Sequence, residues 1–369
     1  MAIKKMLLIG QPYESESIRQ ILFKLIKLLQ QNVDELYVIS GSEINDSIIK
    51  STTIRAKSGR SFFGRISNYL RIQLKMVREI SKLDFEASYF LPQTMILPMI
   101  FLKLKNKKIF LHMGGRASMS MKFAESKYIL TCINIIDKII LYIADYLVVQ
   151  SNEVIKSLEL ANYKKKILIL PQWIDISRFN IKRKYNDRSN CIGYIGILNR
   201  EKGVFELIKA IEIFNCTVKE SYEFILAGGG NKKEIEAILN QIPISNNNIK
   251  LLGWVDHTEI PRIMNDLKLC ILPSFSEGVP NVILEAMACG TPVLATCVGG
   301  VPDIIVDGET GFIMPNNSPK CIAENLERAL DHTNLDKIGY NARKYIESNF
   351  SFKNIVIRWK IILSEINDD

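Results

Sequence analysis

Two carboxylates stand eight residues apart in the stretch SFSEGVPNVILEAMACGTPVLATCVGG (274–300): Glu277, followed by Gly278 and Pro280, and Glu285, followed by Gly290 and Pro292. The apolar run LCILPS just before them reads as a central strand that ends at Pro-Ser. Gly278 supplies backbone freedom, Pro280 suits a first helical turn and Gly290 suits a helix end, so the spacing predicts a helix over 280–289. Its first-turn amides, Val279 to Val282, have no partner inside the helix and carry the positive end of its dipole, which attracts phosphate. Glu285 stands roughly 7 Å along the axis at 1.5 Å per residue. A carboxylate there can accept two hydrogen bonds from a vicinal diol such as a ribose, while Glu277, in the loop, is placed for hydroxyls of a sugar. Either acid alone reads as a solvated surface charge. It is the arrangement with Gly278, Pro280 and Gly290 that lifts both above that reading.

The elements that must position them alternate along the chain. Strands are predicted at 5–9, 36–40, 87–90, 109–112, 146–150 and 167–170, with a helix at 15–31 whose apolar residues recur at helical spacing. After LPQWIDISRFN the chain turns polar and basic over Ile181 to Asn190, and the domain boundary is placed there. A second alternating series follows: CIGYIG, a helix at 204–214, EFILAG, a helix at 233–240, IKLLGWV, LCILPS, the glutamate segment and PVLAT. Such series imply mostly parallel sheets covered on both faces, which bind ligands outside the carboxyl ends of their strands. The domains expected are 1–180 and 190–350, with the last helix, 352–366, crossing back to brace the first.

At 369 residues and 47% hydrophobic the chain is long enough for two cores. Its longest apolar stretch, YFLPQTMILPMIFL (89–102), is shorter than a membrane span and is broken by Pro92 and Pro98. The start, MAIKKMLLIG, reads as a buried strand and not a signal peptide, so a cytoplasmic location is expected. Seven cysteines without a Cys-x-x-Cys pair and three scattered histidines, His112, His257 and His332, form neither a disulfide framework nor a zinc motif. No metal or other cofactor is expected. The +9 net charge is uneven: 1–180 holds 27 Lys+Arg against 15 Asp+Glu, and the remainder 21 against 24. The basic half points to an anionic partner, a membrane surface or a nucleic acid. No nucleic-acid motif and no interleaving of basic with stacking aromatic residues is present, so nucleic-acid binding is the distant alternative.

The stretch from Pro273 to Pro315 resembles the donor-binding segment of retaining glycosyltransferases of family 4. It is similar to their E-x7-E motif in context, with EG-x-P, EAMACGTPV and a trailing GG…DG-x-TG. ILILPQWIDISRF is similar to the family's interdomain stretch, IGILNREKG to its phosphate-binding turn, and ILAGGG and LLGWVDHTEIP to its nucleotide loops. The resemblance covers 167–315 well and the first half in outline. It implies an α/β GT-B fold: two Rossmann-like doubly wound parallel-sheet domains facing a central cleft, the first for the acceptor and the second for the nucleotide-sugar donor. It further implies that Glu277 contacts the donor sugar, that the backbone of Gly278, Val279, Pro280 and Asn281 holds sugar and phosphate, and that Glu285 binds the ribose. Gly228, Trp254 and Val255 fall in the nucleotide loops. Lys202, in EKG, would neutralise the diphosphate leaving group, where charge grows in the transition state. Where the family usually has an arginine after the glycine of IGIL, this chain has Ile197, with Arg200 the candidate substitute. The Gly-Gly loop usual after the first strand is reduced to Gly10.

In the first half, IFLHMGGRASMS sets His112 at a strand end before Gly114, Gly115 and Arg116, and the family's histidine in this region touches the donor sugar. The stretch Gly59 to Lys82 places Arg71, Lys75, Arg78 and Lys82 on one helical face and Ile66, Leu70, Leu74 and Val77 on another. With Lys103, Lys105, Lys107 and Lys108, this suits either docking on anionic lipid or an ordinary surface helix. The expected activity is transfer of a sugar, with retention, from a nucleotide diphosphate to a lipid-linked acceptor in surface polysaccharide or lipopolysaccharide assembly, peripherally at the membrane. The alternatives are a GT-B enzyme with a soluble acceptor and a nucleotide-sugar epimerase.

Overall fold

The computed structural model describes residues 3–12, 16–44, 49–55, 62–91, 94–113, 127–242 and 248–368. Gly59 to Ser61, Gly114 to Arg116 and the Ile66 side chain fall outside that description.

The chain divides into two units, 1–150 with 155–171 and 355–369, and 151–154 with 172–354. In the first, short continuous apolar runs make strands buried on both faces: β1 (Lys5–Ile9), β2 (Glu35–Ser40), β4 (Ala87–Phe90), β5 (Lys108–His112) and β6 (Tyr146–Val149). With β3 (Lys50–Thr53) and β7 (Ile167–Ile169) at the edges they form one parallel sheet in the order β3-β2-β1-β4-β5-β6-β7. The sequence KSTT of β3 has no apolar periodicity. Backbone pairing with β2, Tyr37 opposite Lys50, recruits it. The helices are α1 (Glu16–Leu29), α2 (Phe62–Ile80), α3 (Ile96–Leu104), α4 (Lys127–Ile143) and the short α5 (Asn152–Ser157), at which the chain passes between the units. The buried amide of Gln73 on α2 accepts from the Leu97 N–H in the first turn of α3, at 2.9 Å.

The second unit has β8 (Cys191–Ile195), α6 (Val204–Thr217), β9 (Glu223–Ala227), α7 (Lys232–Gln241), β10 (Ile249–Gly253), α8 (Ile260–Asp266), β11 (Leu269–Leu272), α9 (Asn281–Ala288), β12 (Val293–Thr296), β13 (Phe312–Met314), α10 (Pro319–Leu330) and α11 (Leu335–Asn349). Its sheet is parallel throughout, in the order β10-β9-β8-β11-β12-β13. The final helix, α12 (Phe352–Asp368), belongs to the first unit from Ile355 onward.

The division falls after Pro171, ahead of the polar 181–190 stretch where the charge pattern placed it. That stretch is folded onto the second unit. Arg188 is buried there and donates to the carbonyls of Leu267 and Cys289 and to Thr291 Oγ1 at 3.2, 2.8 and 2.6 Å. Asn265 Oδ1 accepts from the amide of Lys182 at 2.7 Å. Ile174 and Phe179 lie in the second unit's apolar core.

Candidate functional site

In the second sheet the chain leaves β8 toward β9 and β10 on one side, while β11 leads to β12 and β13 on the other. The order reverses between β8 and β11, and the crevice outside the carboxyl ends of such a strand pair is where open parallel sheets take ligands. The loops leaving these two strands carry Lys202 and Glu277.

Three glycines allow the loops to press together. Gly203, the N-cap of α6, has φ +70° and approaches so closely that a Cβ would sit 1.9 Å from the Pro273 carbonyl oxygen. From the other side Gly299, at φ +53°, lies against the Glu277 carbonyl, and the Gly300 amide donates to the Gly278 carbonyl at 2.6 Å. Phe275 N donates to Glu201 O at 3.0 Å, and Asn199 Oδ1 accepts from Lys202 N at 2.9 Å. The consequence is a fixed side-chain pair. Lys202 Nζ donates to Glu277 Oε1 at 2.7 Å, and Ser274 Oγ donates to the same oxygen at 2.7 Å. The Glu277 side chain is only 9% exposed, against 24% for Lys202.

Glu277 leads directly into α9. Pro280 is its N-cap, and no side chain caps that end. At the other end Arg188 donates to Cys289 O and Arg343 to Ala288 O, so cations meet the negative pole of the helix. Ile283, Leu284, Ala286, Met287 and Ala288 are buried, and Glu285 is buried among them. A buried carboxylate requires a donor, and Glu285 Oε1 has one in His257 Nε2 at 3.0 Å. Sequence reasoning passed over His257. The available signal was its place four residues after β10, at the same edge of the sheet as Glu277.

Residues 176–345 match the family model for glycosyl transferases group 1. The second unit carries a glycosyltransferase group 1 domain. Among relatives, an uncharacterized glycosyltransferase of Methanocaldococcus jannaschii is 28% identical over 311 residues, covering 79% of this chain and 78% of the relative. The capsular polysaccharide biosynthesis glycosyltransferase CapM of Staphylococcus aureus is 33% identical over 199 residues, 51% of this chain and 49% of the relative, so that match spans about half of each. Among solved structures, that of HepE from Anabaena in complex with UDP and glucose has a TM-score of 0.78 at 17% identity, covering 98% of this chain and 100% of the other. Sucrose-phosphate synthase from Thermosynechococcus elongatus has a TM-score of 0.76 at 18% identity, covering 99% of both. The fold is GT-B: two Rossmann-like parallel-sheet domains.

Within the glycosyltransferase domain the remaining candidates are spread along the carboxyl edge of the sheet. Gly228, after β9, has φ +150° and packs so tightly on the Gly196 carbonyl that a Cβ would lie 1.7 Å from its oxygen. Trp254, after β10, is 71% exposed, and Val255 is half-buried against the core. Arg200 lays its guanidinium over the Phe205 ring of α6 at 4.9 Å, and Ile197 is exposed. In the first unit, Gly10 follows β1, where a Cβ would meet Ser40 Cβ at 2.8 Å, so close packing accounts for that glycine. His112 ends β5, with Nδ1 2.9 Å from the hydroxyl of Tyr89. Burial pushes its imidazole down to about 4 and raises the Tyr89 hydroxyl. Among the described residues no three His, Cys, Asp or Glu side chains converge as a metal site requires, and no helix is long and apolar enough to cross a membrane.

Proposed function

We propose that this chain transfers a sugar from a nucleotide-diphosphate sugar to an acceptor with retention at the anomeric carbon. The observation that carries the reading is the Lys202–Glu277 pair, locked at 2.7 Å beside the start of α9. An ammonium is held where the β-phosphate would accumulate charge, next to a carboxylate suited to sugar hydroxyls and a helix end suited to phosphate. When the donor enters, the phosphate takes over Lys202 and the sugar takes over Glu277. The bond from the acceptor oxygen to the anomeric carbon forms on the face from which the phosphate departs, and the leaving phosphate accepts the acceptor's proton. No residue need form a covalent sugar intermediate.

The acceptor is assigned as a lipid-linked saccharide, in surface polysaccharide or lipopolysaccharide assembly. CapM, by its name, belongs to capsular polysaccharide biosynthesis. The first unit offers a face suited to anionic lipid: α2 buries Ile72, Met76 and Ile80, while Leu70 and Leu74 are 46% and 61% exposed beside the exposed Arg71, Lys75 and Arg78. The Lys103–Lys108 group contributes less than its composition implied. Lys103 pairs with Asp145, and Lys107 and Lys108 donate to the carbonyls of Phe85 and Ile366. Exposed Leu104 and Lys105 remain on that turn.

The deciding experiment is donor hydrolysis and transfer with Glu277→Ala and Lys202→Ala, after thermal-shift screening against a panel of nucleotide sugars. Saturation at a hundred times the dissociation constant stabilises by about 2.7 kcal/mol. Near-wild-type rates in both variants would sink the assignment. Salt-sensitive binding to vesicles of anionic lipid, lost in Leu74→Asp, tests the membrane face separately.

A further inference from the structure

Glu285 is buried in α9 and reaches outward through one hydrogen bond, Oε1 to His257 Nε2. His257 is held from behind. Its ring lies 5.6 Å from that of Phe179, its carbonyl accepts from the Arg178 guanidinium, and that guanidinium also covers Phe179 at 5.4 Å. Arg343 then donates to Phe179 O at 2.5 Å, to Ile176 O at 3.2 Å and to Ala288 O, at the end of α9, at 2.7 Å. The contacts form a closed circuit: α9 to Glu285, His257, Phe179 and Arg343, and back to α9.

We propose that His257 is a positioning residue that orients Glu285 and thereby sets the preference for nucleotides with an intact ribose diol. The inference rests on reading Glu285 as the ribose acceptor. Donation from Nε2 engages one carboxylate oxygen and fixes the plane of the group, which leaves the other oxygen for ribose hydroxyls. Without His257 the carboxylate is free to rotate, and a diol loses its oriented acceptor. A nucleotide without the diol loses nothing.

The test is calorimetric binding of whichever of UDP, GDP or ADP binds tightest, against its 2′,3′-dideoxy counterpart, to the full chain. The expected result for His257→Ala is about tenfold weaker binding of the ribonucleotide, the value of one typical hydrogen bond, with the dideoxy form unchanged. His257→Gln, whose amide can reach where Nε2 stood, is expected to recover most of that loss. In turnover the same variants should raise KM for the donor with kcat within about twofold. Equal weakening of both nucleotides, or no weakening of either, overturns the proposal. Glu285→Ala separates it from its premise. If that variant keeps the ribose preference, or if no nucleoside diphosphate binds the wild type, the ribose reading falls and this inference with it. If Glu285→Ala abolishes the preference while His257→Ala retains it, only the role of His257 is overturned. The His257 side chain is 38% exposed, so its replacement leaves the apolar core intact, and an unchanged Tm verifies folding.

Discussion

Lys202 and His112 illustrate how differently two candidate residues can be tested. Removing Lys202 takes away a charge needed most in the transition state, so Lys202→Met should lower kcat by at least about a hundredfold while donor dissociation changes much less. Single-turnover transfer and equilibrium binding measure the two separately. His112 leaves a signature in stability. Its unfolded imidazole titrates near 6.5 and its folded one at about 4, so between those values the unfolded chain binds the extra proton. Its contribution is full above pH 6.5 and is lost as pH falls toward 4, by at most about 3 kcal/mol. The difference in Tm between wild type and His112→Gln should therefore narrow over that window and stay constant above it. A difference independent of pH would show that the histidine is not held neutral. Glu277 and Glu285 were legible as candidates because a local run of glycines and prolines frames them, and Lys202 because IGILNREKG resembles a phosphate-binding turn. His257 was not, because its meaning depends on the loop after β10 reaching Glu285 of α9, 28 residues further along the chain.

At the scale of elements, α9 depends on what meets its two ends. Arg188 sits in a segment whose composition reads as a linker, yet its guanidinium satisfies the carbonyls that follow α8 and α9 together with Thr291. Arg188→Leu keeps much of the volume and orphans those acceptors, so it should destabilise by about 3 kcal/mol, measured by urea unfolding. Gly203→Ala meets a different obstacle. Its positive φ and the 1.9 Å approach to Pro273 O leave a methyl group nowhere to go without parting the loops that bring Lys202 to Glu277. That substitution should lower both Tm and kcat. Most strands were legible from continuous apolar runs, and the parallel sheets from their alternation with helices, but the strand order that sets β8 beside β11 was not. Nor was the polar edge strand β3, since pairing with β2 makes it a strand and its side chains do not.

At the scale of the whole molecule, the last segment of the chain completes the first unit. Ile355, Trp359, Leu363 and Ile366 recur at helical spacing on α12 and are buried. Trp359 lies edge-on to Tyr89 of β4 at 6.0 Å and to Phe110 of β5 at 5.7 Å. The apolar stripe was readable in the sequence. Its return to the first domain was expected from the sequence, whereas its partners there, Tyr89 and Phe110, were not, because an amphipathic helix specifies an apolar partner without naming its residues. Trp359→Ala should cost about 3–5 kcal/mol through lost burial and the cavity left behind. Trp359→Phe should cost far less, because the buried indole Nε1 makes no hydrogen bond in the structure and its removal relieves an unmet donor. Hydrogen exchange localises the effect. Amides of β4 and β5 should lose protection in Trp359→Ala while those of β8 and β11, in the other unit, keep theirs. Equal loss in both sheets would mean that α12 does not serve the first unit alone, and equal destabilisation by alanine and phenylalanine would mean that the indole N–H, and not the volume of the ring, secures it.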